Sequence, residues 1–273
     1  ALHNPQEGLE IHYLRPFLLV QNIFAYIFRN FAYLYFTINY AKFKQKEIFM
    51  AFELKYLGHS AFEIKFFDKS ILIDPFLGAN PDYDYRVENV SDIFLTHAHA
   101  DHLGNAIDIA KYSQSTITAV FELANYCAQK GVRSNGINFG GWLDYDWGRA
   151  IFVPAFHSSS NLEGQYMGEP AGVILEISDV KIYHAGDTCL FSDMKLIKEL
   201  YNPDVVMLPV GGTFTMDIEH ATIAAEWLNP RVVIPMHYNT FSAIYTDIER
   251  FGMMLQTKGI NYQLMQINET LNF

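Results

Sequence analysis

Chemistry concentrates in one short run, His97-Ala98-His99-Ala100-Asp101-His102, where four candidate metal ligands fall within six residues. The run closes an apolar, strand-like segment, Asp92-Ile93-Phe94-Leu95-Thr96, and passes at once into Leu103-Gly104. On an extended backbone, side chains at i and i+2 project to one side, so His97 and His99 face the same way. Asp101 and His102 follow where the chain turns toward a helix, so one loop can feed two adjacent metal ions. Imidazole suits zinc, iron and manganese. A carboxylate in the set points to a catalytic rather than a structural centre, because structural zinc usually takes thiolates. The bland alternative is a polar loop that happens to be histidine-rich. Three of the chain's ten histidines in six positions, spaced only by alanines, argue against it.

His157, Asp187 and His237 also follow apolar strand-like stretches. Each alone is a weak signal, since a histidine after a strand is more often a hydrogen-bonded structural residue. Together they fit ligands converging on one edge of a sheet assembly, where α/β folds build their sites. His59 and His184 each lie beside a glycine turn and are second-tier candidates for orienting a ligand or donating to an oxyanion. His220, in the helical segment 219–228, reads as surface polar lining. Cys127 and Cys189 are far apart and indicate no disulfide framework, which makes a reducing cytoplasm the default location. Cys189 reads as a small buried thiol beside a turn, with a place in the site wall as the alternative.

The elements that must hold these residues are legible from periodicity. Phe52, Leu54 and Tyr56 alternate with Glu53 and Lys55, and Phe62, Ile64 and Phe66 with Glu63 and Lys65, predicting a strand pair around Gly58-His59-Ser60. A third short strand, 71–75, is stopped by Pro75, and residues 76–90 read as a loop able to overhang a site. Strand and helix then alternate: helices over 106–112, 121–130, 194–201, 219–228 and 245–258, and strands over 115–120, 149–155, 172–177, 181–184, 204–210 and 231–236. Residues 135–142 read as turn and hairpin, and 161–170 as a polar, site-lining loop.

Half of the 273 residues are hydrophobic and 18% are charged, enough to bury a sizeable core. The formal charge is −11, and residues 1–49, with five basic and three acidic residues, leave an acidic body over 50–273. That balance argues against nucleic-acid binding, which rests on neutralising phosphates. Residues 1–49 differ in kind, with twelve aromatic positions and a nearly continuous apolar and aromatic stretch over 17–41. Three readings stand: an extension upstream of a natural start at Met50, an artefact of translation; a membrane-interfacial helix; or a spanning anchor. Arg29 and several amides inside the window weigh against the last. Residues 50–273 show no internal linker and read as one domain.

The run 97–102, then His157, Asp187 in the turn Gly186-Asp187-Thr188, and His237 resemble the metallo-β-lactamase superfamily over about residues 50–273. Residues Leu57 to Phe62, His157 to Ser160, Gly211 to Met216 and Pro235 to Thr240 are similar to the UPF0173 group of metal-dependent hydrolases, itself similar to ascorbate-6-phosphate lactonases. The resemblance implies an α/β fold, a four-layer αββα sandwich. It implies His97, His99 and His157 on one metal, Asp101, His102 and His237 on a second, and Asp187 bridging both. The nitrogen-rich sets suit two zinc ions best, with manganese or iron as alternatives. A metal-bridging hydroxide would then cleave a small ester, lactone or phosphodiester, with Asp101 steadying it and accepting its proton.

His99 separates this pattern from the related diiron flavoproteins, which carry a carboxylate at that position. An RNA-processing nuclease is a competing reading, opposed by the acidic body. A phospholipid hydrolase attached to a membrane only through residues 17–41 is another, and a non-enzymatic metal-binding scaffold a third. A small-molecule substrate, no nucleic-acid partner and a homo-oligomeric state are the partner expectations.

Overall fold

The computed structural model describes residues 51–80, 82–83 and 89–273, within a compact unit spanning Met50–Phe273. The expectations for residues 1–49 fall outside the described residues, as does much of 81–88 in the expected overhanging loop.

Two sheets carry the described part of the chain. The first contains β1 (Glu53–Gly58), β2 (Ala61–Phe66), β3 (Lys69–Ile73), β4 (Val90–Phe94), β5 (Thr116–Val120), β6 (Arg133–Ile137) and β13 (Thr270–Asn272), in the order β13-β1-β2-β3-β4-β5-β6. The second contains β7 (Leu143–Tyr145), β8 (Gly148–Pro154), β9 (Ala171–Ile177), β10 (Val180–His184), β11 (Val205–Pro209) and β12 (Val232–Met236), in the order β12-β11-β10-β9-β8-β7. Helices α1 (Ala100–Leu103), α2 (Ala106–Ser113) and α3 (Phe121–Gln129) follow strands of the first sheet. Helices α4 (Met194–Tyr201), α5 (Ile218–Leu228) and α6 (Ile248–Thr257) follow strands of the second.

Alternation along the strands shows why the layers form. In β11, Val205 and Met207 join the core between the sheets, while Val206 and Leu208 join the core under α4, α5 and α6. In β8, Ala150 and Phe152 point one way, and Ile151 and Val153 the other. A strand covered on both faces has no polar side, which is why these runs read as continuously apolar. Each fully buried Leu, Ile or Phe side chain contributes roughly 1.5–3 kcal/mol of transfer free energy. On the first sheet, Ile109 of α2 and Leu123 of α3 pack into the same core as Ile93 and Ile117. The architecture is the αββα sandwich that the sequence led us to expect.

Strand direction decides where the site lies. β3, β4, β5 and β6 are parallel, and β1, antiparallel to β2 as β2 is to β3, runs the same way as β3. β10, β11 and β12 are parallel, and β8, two antiparallel steps from β10, points with them. The carboxyl ends of β1, β3 and β4 therefore share one edge of the first sheet, and those of β8, β10 and β12 one edge of the second.

Three elements differ from expectation. Residues 133–137, which overlap the start of the turn and hairpin expected over 135–142, form the parallel edge strand β6, which is largely solvent-facing and so carries no apolar alternation. The terminal strand β13 pairs with β1 and is too short to register in sequence. The last helix begins at Ile248 rather than 245, because the Asp247 side chain caps it by accepting from Arg250 N. Among the described residues no helix is long and apolar enough to cross a membrane.

Candidate metal centre

His59 occupies the turn between Gly58 and Ala61 that joins β1 to β2, with a left-handed backbone (φ 56°). Its carbonyl accepts from the Tyr56 hydroxyl at 3.0 Å and from His237 N at 2.8 Å. That second bond ties the end of β12 to the first sheet. His237 is itself left-handed (φ 54°), as is Asp74 at the end of β3 (φ 43°). Non-glycine residues held there cost on the order of 1–3 kcal/mol each, and such strain clusters at functional sites. Gly211 is required beside them, since a Cβ there would run into the His237 carbonyl oxygen.

Asp74 is the buried hub. Its Oδ1 accepts from Thr96 N at 2.8 Å, and its Oδ2 from Thr96 Oγ1 at 2.5 Å and from His102 Nδ1 at 2.7 Å. Because the Thr96 hydroxyl gives its proton to Asp74, it can only accept from His97 Nδ1, 3.0 Å away. Both His97 and His102 thus carry a proton on Nδ1 and present Nε2 to the centre. A carboxylate that fixes the tautomer and orientation of a histidine in this way is the usual support behind a metal-binding imidazole.

Two groups result. His97, His99 and His157 each offer a ligand atom within 4.8 Å of the others, and so do His59, Asp101, His102 and His237. Asp187 lies against both: Oδ1 is 3.3 Å from His102 Nε2, and Oδ2 is 3.0 Å from His237 Nε2 and 3.5 Å from His157 Nε2. Gly186 before it has φ 63°, and a Cβ there would sit 2.5 Å from the Ala171 carbonyl, so this turn admits only glycine comfortably.

The electrostatics follow from burial and pairing. Burial pulls His97 well below the ordinary imidazole range, and pulls His99, His157 and His59 down less far. Burial would do the same to His102 and His237, but at His102 the Asp187 and Asp74 carboxylates together outweigh it, and at His237 the Asp187 and Asp101 carboxylates do, so both are raised. Burial opposes ionisation of Asp187, yet His102 and His237 hold its carboxyl well below the usual range. Asp101 is likewise held down against burial by His237 and His59.

The donor set fits a metal. His102 Nε2 and Asp187 Oδ1 are buried without a hydrogen-bond partner although they face each other. A lone pair pointing at a carboxylate needs a cation between or beside them, a proton or a metal ion. Seven nitrogen and carboxylate donors around two foci match the preferences of zinc, iron and manganese.

All seven expected ligands come to this one edge. His59 joins them: its Nε2 is 3.2 Å from Asp101 Oδ2 and its Nδ1 is 2.9 Å from Thr240 Oγ1. His184 does not reach the centre with a free nitrogen. Gly186 N donates to its Nδ1 at 3.2 Å, so Nε2 carries the proton and donates to the Ser60 carbonyl at 2.9 Å. Orienting the Asp187 turn remains open to it, whereas donation to an oxyanion does not. His220 is exposed beside Asp217, as expected of surface lining. Cys189 is exposed rather than buried, because the turn after Asp187 carries it out at the open edge; the buried thiol is Cys127, pushed up to about 12. Asp74, Thr96 and Thr240 were not foreseen. The one signal for Asp74 was a carboxylate at a strand end directly before proline.

This constellation, strand-end histidines and aspartates at the edge of an αββα sandwich, defines a metal-dependent hydrolase site, and comparison with known proteins agrees. A beta-lactamase superfamily domain matches residues 53–237. A UPF0173 metal-dependent hydrolase of Bacillus cereus is 44% identical over 211 residues, covering 75% of this chain and 93% of the relative. One from Thermofilum pendens is 47% identical over 213 residues, covering 74% and 90%. Among solved structures, Igni18, a metallo hydrolase from Ignicoccus hospitalis, aligns with a TM-score of 0.75 at 36% identity, covering 82% of this chain and 98% of that one. The chain belongs to the beta-lactamase superfamily and, within it, to the UPF0173 metal-dependent hydrolases. Its activity is accordingly metal-dependent hydrolysis.

Proposed function

We propose that the protein is a binuclear hydrolase of a small ester, lactone or phosphodiester. The observation that carries this reading is Asp187, one buried carboxylate whose oxygens lie 3.0–3.5 Å from nitrogens of both histidine groups. In this reading His97, His99 and His157 would hold one ion and Asp101, His102 and His237 the other, with Asp187 available to both. Two divalent ions bound there, zinc by preference and manganese or iron as alternatives, would supply a water that ionises near neutral pH and a Lewis acid for the scissile oxygen.

The chain's own groups do the rest. Hydrolysis breaks the bond from the acyl or phosphoryl centre to the leaving oxygen and joins the water oxygen to that centre. Asp101 takes one water proton on its carboxylate and passes it to the leaving oxygen. His59 fixes the Asp101 carboxylate from one side, and its own ring is fixed by Thr240. His184, buried and bonded to backbone on both nitrogens, keeps the Asp187 turn in register with the β1–β2 turn.

Elemental analysis of protein purified without chelator tests the reading: about two transition-metal ions per chain are expected. A reproducible value below about one per chain would exclude the binuclear arrangement. A panel of lactones, carboxylic esters and linear and cyclic phosphodiesters, assayed on the metal-loaded protein, tests the reaction class.

A further inference from the structure

The loops that form the catalytic edge are 57–61, 74–80, 96–105, 155–170, 185–193, 210–217 and 237–246. Among the described residues they contain no lysine and no arginine, in a chain that has 19. Their charged side chains are acidic: besides the aspartates of the centre they include Glu163, Glu169, Asp193 and Asp217. A charged tail on a substrate, phosphate or carboxylate, is normally met by arginine or lysine, and the described residues of these loops offer neither.

They offer aromatic surface instead. Phe241, 46% exposed, packs edge-on to the His59 ring at 5.4 Å, and Phe76 does so at 5.6 Å, with the two phenyl rings 6.3 Å apart. Phe156, next to His157, and Phe214 are each 58% exposed. The loop bearing Phe214 is tied to the Phe241 loop by Thr213 Oγ1, which donates to the Ala243 carbonyl at 2.9 Å. Phenyl rings left open to water around a polar centre gain by being covered.

A cavity of about 410 Å³ opens beside this wall. Its described lining includes Phe76, Leu77, Asn80, Tyr83, Ala100 and Asn105, and none of its described lining residues is charged. The two amides are already used: Asn80 Nδ2 donates to Asn268 Oδ1, and Asn105 Oδ1 accepts from Leu77 N. Ala100 adjoins Asp101, so the cavity begins one residue from the proposed proton carrier. Phe76 faces both the cavity and His59.

From these observations we infer that the substrate is a neutral ester or lactone whose non-reacting part is uncharged and apolar, seated against Phe76 and Phe241 and extending toward the cavity beside them. The inference rests on the hydrolytic reading above and narrows it. A phosphorylated lactone or a nucleic acid would bring charge to loops whose described residues hold no cation to receive it, while an apolar acyl chain or aryl group finds the exposed phenyl surface of Phe76 and Phe241.

The test uses the full-length, metal-loaded protein and two phenylalkyl hydroxamic acids of equal chain length, one ending in phenyl and the other in 4-carboxyphenyl. Both present the same metal-binding group, and calorimetry reads their affinities independently of turnover. The neutral compound is expected to bind about tenfold or more tightly than the anionic one. Phe241→Ala, a change at a half-exposed side chain, is expected to weaken the neutral compound severalfold and leave the anionic one unchanged. Equal or tighter binding of the anionic compound, or no binding of either, overturns the inference. In parallel, kcat/KM is compared for 4-nitrophenyl butyrate and 4-nitrophenyl hemisuccinate. Preference for the hemisuccinate overturns the inference and keeps the hydrolytic reading. Discrimination between the hydroxamates with no turnover of any ester, lactone or phosphodiester leaves the apolar subsite standing and removes the hydrolytic reading.

Discussion

His97, His99 and His157 form an all-imidazole group with uneven support. His97 is locked through Thr96 to Asp74, but His99 Nε2 meets only the Ser158 hydroxyl, at a long 3.4 Å, and His157 meets Asp187 at 3.5 Å. In the other group the rings of His102 and His59 are anchored, and His237 is held through its backbone. His102 is held by Asp74 at 2.7 Å, His59 by Thr240 at 2.9 Å, and the backbone of His237 by the His59 carbonyl at 2.8 Å. The second group is a preorganised pocket; the first must be completed by what binds there. Since geometry prepared in advance lowers the cost of binding, the second group should hold its ion more tightly.

The largest effect expected is that of Asp187→Ala, which touches both groups. Metal content should fall from about two ions toward none, with activity reduced about a thousandfold or more. If both ions are retained, another residue bridges and the division into halves is wrong. Next come His157→Ala and His102→Ala, both expected to abolish turnover but to differ in metal content. After desalting, His157→Ala should keep about one ion per chain, whereas His102→Ala should lose the tighter site. Equal loss in the two variants, read by elemental analysis, would erase the asymmetry.

Asp74→Asn probes the support behind the ligands. It turns one of the two acceptor oxygens that set the tautomers of His97 and His102 into a donor, and metal affinity measured by competition with a chromophoric chelator should drop about 10–100-fold. An unchanged affinity would show that the histidines are oriented by packing alone. The smallest effect belongs to Thr240→Val, which frees the His59 ring without touching a ligand. A severalfold decrease in kcat with metal content intact is expected, and loss of metal instead would make His59 a ligand.

The histidine run was readable because its logic is local. His97 and His99 follow β4 at i and i+2, and Asp101 and His102 fall in the first turn of α1, all within one loop. Asp74 was not readable for the opposite reason. It meets Thr96 only because β3 and β4 pair in parallel with Ile73 beside Phe94, a register that no pattern in either segment states. His184 looked equivalent to His59 in sequence, each beside a glycine, and the fold separates them. One ring points into the centre, while the other is spent on two backbone groups. The edge strand β6 and the terminal β13 escaped because a short or solvent-facing strand lacks the alternation that burial imposes.

Ligand types, their order along the chain and their positions at strand ends were all written in the residues, since alternating burial marks strands and residue chemistry marks donors. Which strand ends share an edge, which nitrogen of each ring faces inward, and which carboxylate reaches both groups came from the folded arrangement. Those choices depend on strand direction and on hydrogen bonds between residues as far apart as His59 and Thr240, 181 positions along the chain. Contacts of that range are fixed by the packing of the two sheets, and no local stretch of the chain encodes them.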